Sequence, residues 1–166
     1  MNMDKPKTVV FVYGEGGHSA QMARLFACLQ HHSELSSCKF VTLNDTDKCF
    51  SPQGAERVLL QQVRSKYGSF SVLKAISSVG SALFSVVALM GRLDCRILIS
   101  TGPGIAIVPA LMFRLMGRQV IHVETWSRFN TCSFSGKVMY RLSTKFYVQN
   151  KEQLRRYPKA VWSGRL

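Results

Sequence analysis

A chain of 166 residues with 46% apolar side chains can bury one substantial core but not two, so a single domain spanning 1–166 is expected. Its five cysteines (Cys28, Cys38, Cys49, Cys95 and Cys132) form no Cys-x-x-Cys pair, which excludes the usual zinc and disulfide scaffolds and leaves free thiols in a reducing compartment. The whole net charge of +13 arises after position 50, where seventeen basic side chains meet four acidic ones; the first fifty residues carry five of each. That excess asks for an anionic partner. Without an RNP-type aromatic motif, zinc-finger spacing or recognition-helix pattern, no nucleic acid is expected. An anionic membrane surface, where each basic side chain near the headgroups is worth about 1 kcal/mol, remains beside a merely solvated basic face. The start, Met1 to Lys7, runs straight into a strand-like segment with no apolar signal core, so no export is expected.

In chain order, short apolar runs alternate with helical patterns, the signature of an α/β domain with a mainly parallel, Rossmann-like sheet covered by helices on both faces. Thr8–Tyr13 reads as a buried strand, and Ser19 to about Gln30 as an amphipathic helix with Met22, Leu25, Phe26 and Leu29 on one side. Lys39–Leu43 is the second strand, Asn44–Gly54 a polar loop and Val58–Leu60 a weaker third strand. Arg96–Ser100 and Gln119–Val123 are further strands, separated by a helix of about a dozen residues beginning near Ile105. Lys145–Gln149 is the last strong strand, and neither an internal repeat nor a low-complexity tract interrupts the series.

The segment Ser71–Met90 stands apart. Val72, Ile76, Val79, Leu83, Val86 and Met90 follow steps of four and three that put them on one helical face, with Arg64, Lys66 and Lys74 before and Arg92 and Arg96 after. Ser77, Ser78, Gly80, Ser81 and Ser85 make it a poor spanning helix. A core helix and an interfacial helix dipping into a bilayer through Val79, Leu83, Phe84 and Val87 are both open readings.

Three segments can carry chemistry. The loop Gly14-Glu15-Gly16-Gly17-His18 follows the first strand and opens a helix, where backbone amides can approach a phosphate or diphosphate. Against the dinucleotide fingerprint, Gly14 and Gly16 fit but Ser19 occupies the third glycine position, and Asp45 comes late for a ribose-binding acid. His18 at the helix start and Glu124 at the end of the strand Val120–Val123 are the candidate catalytic bases. Ser100-Thr101-Gly102-Pro103-Gly104 repeats the strand, loop, helix arrangement and could hold a second anionic group. From Ser127 to Lys137 the chain is dense in hydroxyls, and Arg128 there can pair bidentately with phosphate. Neither a metal nor a cofactor is expected. A ligand-free turn, a helix entry and a buried structural carboxylate are the bland alternatives for Gly14–His18, Thr101–Gly104 and Glu124.

Taken in order, Gly14 to Met22, Ser100 to Gly104, Val123-Glu124-Thr125, Ser135 to Tyr140 and Gln149 through Tyr157-Pro158-Lys159 resemble one oligosaccharide-biosynthesis family. It contains the membrane-anchoring subunit of the eukaryotic two-chain UDP-GlcNAc transferase and the bacterial capsule and exopolysaccharide proteins PssD and CpsF. The resemblance implies the N-terminal, acceptor-binding half of a GT-B glycosyltransferase, similar to the first domain of MurG, ending where the connection to a second domain would begin. A small donor-binding subunit of the PssE or CpsG kind would bring the UDP-sugar, and a polyprenyl-diphosphate-linked sugar would be the acceptor. Gly16, Gly17 and His18 match the loop facing the acceptor diphosphate, and Glu124 matches the acidic position at the sheet edge; the chemistry of the loops themselves adds Gly14, Ser19, Thr101, Gly102, Gly104 and Arg128 as expected phosphate contacts. The eukaryotic members carry an N-terminal anchor that this sequence lacks, which favours a bacterial protein peripheral to the cytoplasmic face of the inner membrane, attached through residues 69–93. Glu15 stands where small hydroxyl residues are common, and its carboxylate is expected to point away from the anion site. A non-catalytic membrane-recruiting scaffold and an independent nucleotide-binding protein are the competing readings.

Overall fold

The structure, a computed structural model, describes residues 7–60 and 72–166. Seven parallel strands form one sheet in the order β3-β2-β1-β4-β5-β6-β7. These are β1 (Lys7–Tyr13), β2 (Lys39–Asn44), β3 (Glu56–Leu59), β4 (Asp94–Gly102), β5 (Gln119–Val123), β6 (Lys145–Val148) and β7 (Val161–Trp162). The continuous apolar run of β1 is explained by its central position, because both faces of the strand are covered. Val9, Phe11 and Tyr13 pack with Met22, Leu25 and Phe26 of α1 (Gly17–Leu29), and edge-on ring contacts join Phe26 to Phe11 and to Phe40. Val10 and Val12 face the opposite way, into the core built with α2 (Val72–Arg92), α3 (Ile107–Leu115) and α4 (Phe134–Leu142).

The fold expected from the sequence is the fold observed, with local differences that have physical causes. The helix expected from Ile105 starts as a single 3-10 turn, Gly104–Ala106, before continuing as α3. The hydroxyl-rich stretch is not all loop. Ser133 caps α4 by accepting a 2.8 Å hydrogen bond from the Gly136 amide, and Met139 on the following turn is buried. The two residues of β7 and the 3-10 turn Lys151–Arg155 are too short to leave a periodicity.

The single face drawn through Val72, Ile76, Val79, Leu83, Val86 and Met90 is corrected by α2. Its buried line runs through Ser78, Ala82, Val86 and Leu89, whereas Ile76 and Val79 are exposed. Apolar residues occupy well over half the circumference of this helix, so spacing alone fits more than one line. The small side chains of Ser78 and Ala82 sit on the packed side. Arg64, Lys66 and Ser71 lie outside the described residues. Among the described residues no helix is long and apolar enough to cross a membrane.

Candidate functional site

Strand order reverses between β1 and β4, since the chain moves outward to β2 from one and to β5 from the other. Sheets of this kind bind ligands at that crevice, beyond the carboxyl ends of the strands. Both glycine loops end there. The Gly14 amide donates to the Gly102 carbonyl at 3.2 Å, and a Cβ on Gly14 would fall 2.6 Å from Pro103 Cδ. The two loops are therefore packed on one another without room for a side chain.

His18 sits half-buried at this junction. Its Nδ1 lies 2.7 Å from the Thr101 carbonyl oxygen, and the Thr101 hydroxyl donates in return to the His18 carbonyl at 3.0 Å. Gly102 has φ of +92°, and a Cβ there would stand 2.9 Å from His18 Cε1. Gly16 caps α1 with φ of +72°, and Gly16 and Gly17 are exposed with open space around them. The first turn of α1 thus presents backbone to solvent, as an anion-binding loop requires. Glu15 is exposed, and its charge is felt at the Cys49 thiol, which burial pushes up. Ser19 turns inward instead, its hydroxyl accepting from the Phe50 amide at 2.7 Å. Gly104 is exposed, and Asp45 lies at the same edge with its carboxylate beside Gly14.

Glu124 occupies a different corner, 4% exposed, at the end of β5. Its Oε1 accepts from the Thr125 amide at 3.0 Å and its Oε2 from the Tyr157 hydroxyl at 3.4 Å. A Cβ on Gly136 would fall on Glu124 Oε2 and within 2.8 Å of the Tyr157 oxygen, so α4 closes directly over the carboxyl. Burial raises the Glu124 pKa, with the Thr125 amide, Arg128 and Tyr157 opposing. Arg128 is half-buried, and its guanidinium donates to the Thr131 hydroxyl at 3.3 Å.

Sequence reasoning passed over the groups that join these corners. Gln21, buried one turn after His18, donates to the carbonyls of Val123 and Glu124, both at 3.2 Å. Gln149 donates to the Glu124 carbonyl at 2.9 Å and accepts from the Leu166 amide at 3.0 Å. Asn150 donates to the carbonyls of Trp126 and Arg128 and accepts from Arg165. His122, wholly buried under the edge, has its pKa lowered to about 3, first by burial and then by His18. A polar residue at the carboxyl end of an apolar strand, inside it for His122 and just past it for Gln149, is the signal that could have found them. Among the described residues no group of three or more His, Cys, Asp or Glu side chains is placed to hold a metal.

Of the residues expected to touch a membrane, Phe84 is 76% exposed, Val79 and Val87 are exposed, and Leu83 is half-buried. On the neighbouring α3, Leu111 and Leu115 also face outward, as does Met116 just past its end.

Comparison with known proteins agrees with this geometry. The family model described as "Oligosaccharide biosynthesis protein Alg14 like" matches residues 9–166. The UDP-N-acetylglucosamine transferase subunit ALG14 of Rattus norvegicus is 28% identical, covering 95% of this chain and 82% of the relative. The human subunit of the same name is 26% identical over 96% and 82%, and that of Saccharomyces cerevisiae 25% over 96% and 77%. Among solved structures, MurG of Acinetobacter baumannii superposes with a TM-score of 0.62 at 18% identity, covering 89% of this chain. A UDP-N-acetylglucosamine 2-epimerase gives 0.68 at 15% identity over 93% of this chain. This chain spans 43% and 45% of those two structures, less than half of either. The fold is thus a Rossmann-like parallel sheet of the kind found in part of MurG and of the epimerase, and the chain belongs to the Alg14-like family of oligosaccharide biosynthesis proteins.

Proposed function

We propose that this chain is the acceptor-binding, membrane-associated subunit of a bipartite inverting glycosyltransferase. A small donor-binding subunit supplies UDP-GlcNAc or another UDP-hexose, and this chain offers a polyprenyl-diphosphate-linked sugar acceptor to it. The open first turn of α1 at Gly16 and Gly17 receives the diphosphate, and His18 takes the proton of the attacking hydroxyl. The setting is capsule or exopolysaccharide assembly at the cytoplasmic face of a bacterial inner membrane.

The observation that carries this reading is the junction of the two glycine loops around His18 at the point of strand reversal. A GT-B active site lies between two such domains, and the match to 43% of MurG has the extent of one of them. The outward apolar residues of α2 and α3, flanked by Arg92, Arg114 and Arg118, support attachment to an anionic bilayer.

The experiment is co-expression with a candidate donor subunit, followed by assay of sugar transfer from UDP-GlcNAc to a lipid-diphosphate acceptor in anionic vesicles. The pair is active and this chain alone is not. Transfer by the single chain at the rate of the pair would refute the division of labour. Replacing Phe84 and Val87 by serine lowers vesicle binding without changing the unfolding transition; a lost transition would return α2 to the core.

The walls around Glu124 favour a second reading for that residue alone. A carboxyl 4% exposed and closed over by α4 ties the β5 end to Tyr157, which is an architectural role.

A further inference from the structure

The junction holds more than a histidine at a helix start. The Thr101 carbonyl oxygen can only accept, so the 2.7 Å contact requires the proton of the His18 ring to be on Nδ1. In the neutral ring the lone pair is then on Nε2, for which no hydrogen-bond partner occurs among the described residues. Free histidine in water favours the opposite tautomer, with the proton on Nε2, so the protein must impose this one. Two features impose it. The Thr101 hydroxyl bonds back to the His18 carbonyl at 3.0 Å, which fixes the α1 backbone relative to the end of β4. Gly102, held at φ +92°, forms a seat against the ring, and a Cβ would stand 2.9 Å from Cε1 and 3.0 Å from Nδ1. Nε2 is the farther ring nitrogen, 3.6 Å from the same point.

We infer that Thr101 and Gly102 are positioning residues that lock His18 in the Nδ1–H tautomer and present Nε2 as the proton-accepting atom. The inference rests on the proposed transfer reaction for its catalytic meaning, and on the geometry alone for the tautomer. In the reaction the acceptor hydroxyl gives its proton to Nε2 as its oxygen bonds to the anomeric carbon, and the leaving UDP departs with the electron pair of the broken bond. The base must accept on the nitrogen that faces the substrate, since a ring with the tautomers exchanged presents a donor there instead.

The test is ring 15N–1H correlation spectroscopy of the full chain carrying 15N-labelled histidine, with the His18 signals assigned from their loss in His18→Gln. The expected pattern at alkaline pH is a protonated Nδ1 and a pyridine-like Nε2. Thr101→Val keeps the accepting carbonyl but removes the return bond, and Gly102→Ala fills the seat; each shifts His18 toward the Nε2–H pattern. With the donor subunit and acceptor present, Gly102→Ala lowers kcat by roughly tenfold or more, with the acceptor KM changed by less than about threefold. If Gly102→Ala does not fold, Thr101→Val, with rescue by Thr101→Ser, carries the same comparison. An Nε2–H pattern in the unsubstituted protein overturns the inference whatever the turnover. An Nδ1–H pattern together with undiminished turnover of His18→Gln overturns instead the base assigned under the proposed function, and with it the catalytic part of this inference.

Discussion

His18 and Glu124 stand at the same edge of one sheet, yet their surroundings differ as much as a cleft differs from a core. The histidine lies where β1 and β4 part, with one ring nitrogen tied to a carbonyl and the other without a partner among the described residues. The carboxyl lies under α4, bonded to Thr125 and Tyr157, with no space between it and Gly136. A strand's end brings a residue to the ligand edge, but the next element decides whether its side chain is left open. Gln21 bonds to the Glu124 carbonyl one turn after His18, so the two corners are mechanically joined while only one is accessible.

The contrast predicts its largest effect in turnover. With the donor subunit present, His18→Ala loses about 10²–10⁴ in kcat, the usual cost of a positioned base. Glu124→Gln keeps the hydrogen-bonding outline of the buried group and stays within about tenfold of the parent. Rate measurements with assembly checked by gel filtration decide it. A reversed order, with Glu124→Gln collapsing and His18→Ala active, breaks the comparison.

The next effect is on stability. Gly136→Ala drives a methyl into Glu124 and Tyr157, and overpacking of this kind costs about 1–3 kcal/mol. Gly17→Ala meets open space at the first helical position of α1 without a positive φ, so it costs less. Urea denaturation of the two variants ranks the corners. Equal losses would mean that α4 does not close over the carboxyl.

The pH dependence sharpens the difference further, because the buried groups pull in opposite directions. His122 has its pKa lowered to about 3, so the stability from its neutral ring is complete above its ordinary range and lost as pH falls toward 3. One proton is involved, so the slope is at most about 1.4 kcal/mol per pH unit. Glu124 is raised by burial, so its contribution is complete below the ordinary carboxyl range and lost as pH rises through the raised value. In thermal melts from pH 3 to 8, His122→Phe flattens the acid limb. Glu124→Gln gains on the parent as pH rises. Parallel curves for either variant would contradict the burial assigned to that group.

The sheet was legible because β1, β2, β4 and β5 are apolar runs separated by helix-length segments, and a strand buried on both faces has little freedom to be anything else. The two glycine loops were legible as strand-to-helix junctions, whereas the reversal of strand order between them was not. α2 was only half legible. Its apolar residues cover well over half the circumference, so the buried line through Ser78 and Ala82 is set by what packs against it and not by spacing. The beginning of α4 was hidden among hydroxyls, one of which, Ser133, was itself the cap. The links made by Gln21, Gln149 and Asn150 join residues far apart in the chain, with separations from 15 to 103 between partners. No local pattern records such pairings.

The central claim is that the crevice of this chain receives a lipid diphosphate while the sugar nucleotide belongs to a partner. Its most direct test is binding by the purified chain alone, in anionic nanodiscs, of a polyprenyl-diphosphate-linked sugar and, separately, of UDP-GlcNAc. The account predicts saturable acceptor binding that weakens when Gly16 or Gly17 is replaced by aspartate, and no comparable binding of the nucleotide sugar. Saturable UDP-GlcNAc binding, sensitive to the same substitutions and without acceptor binding, would contradict it.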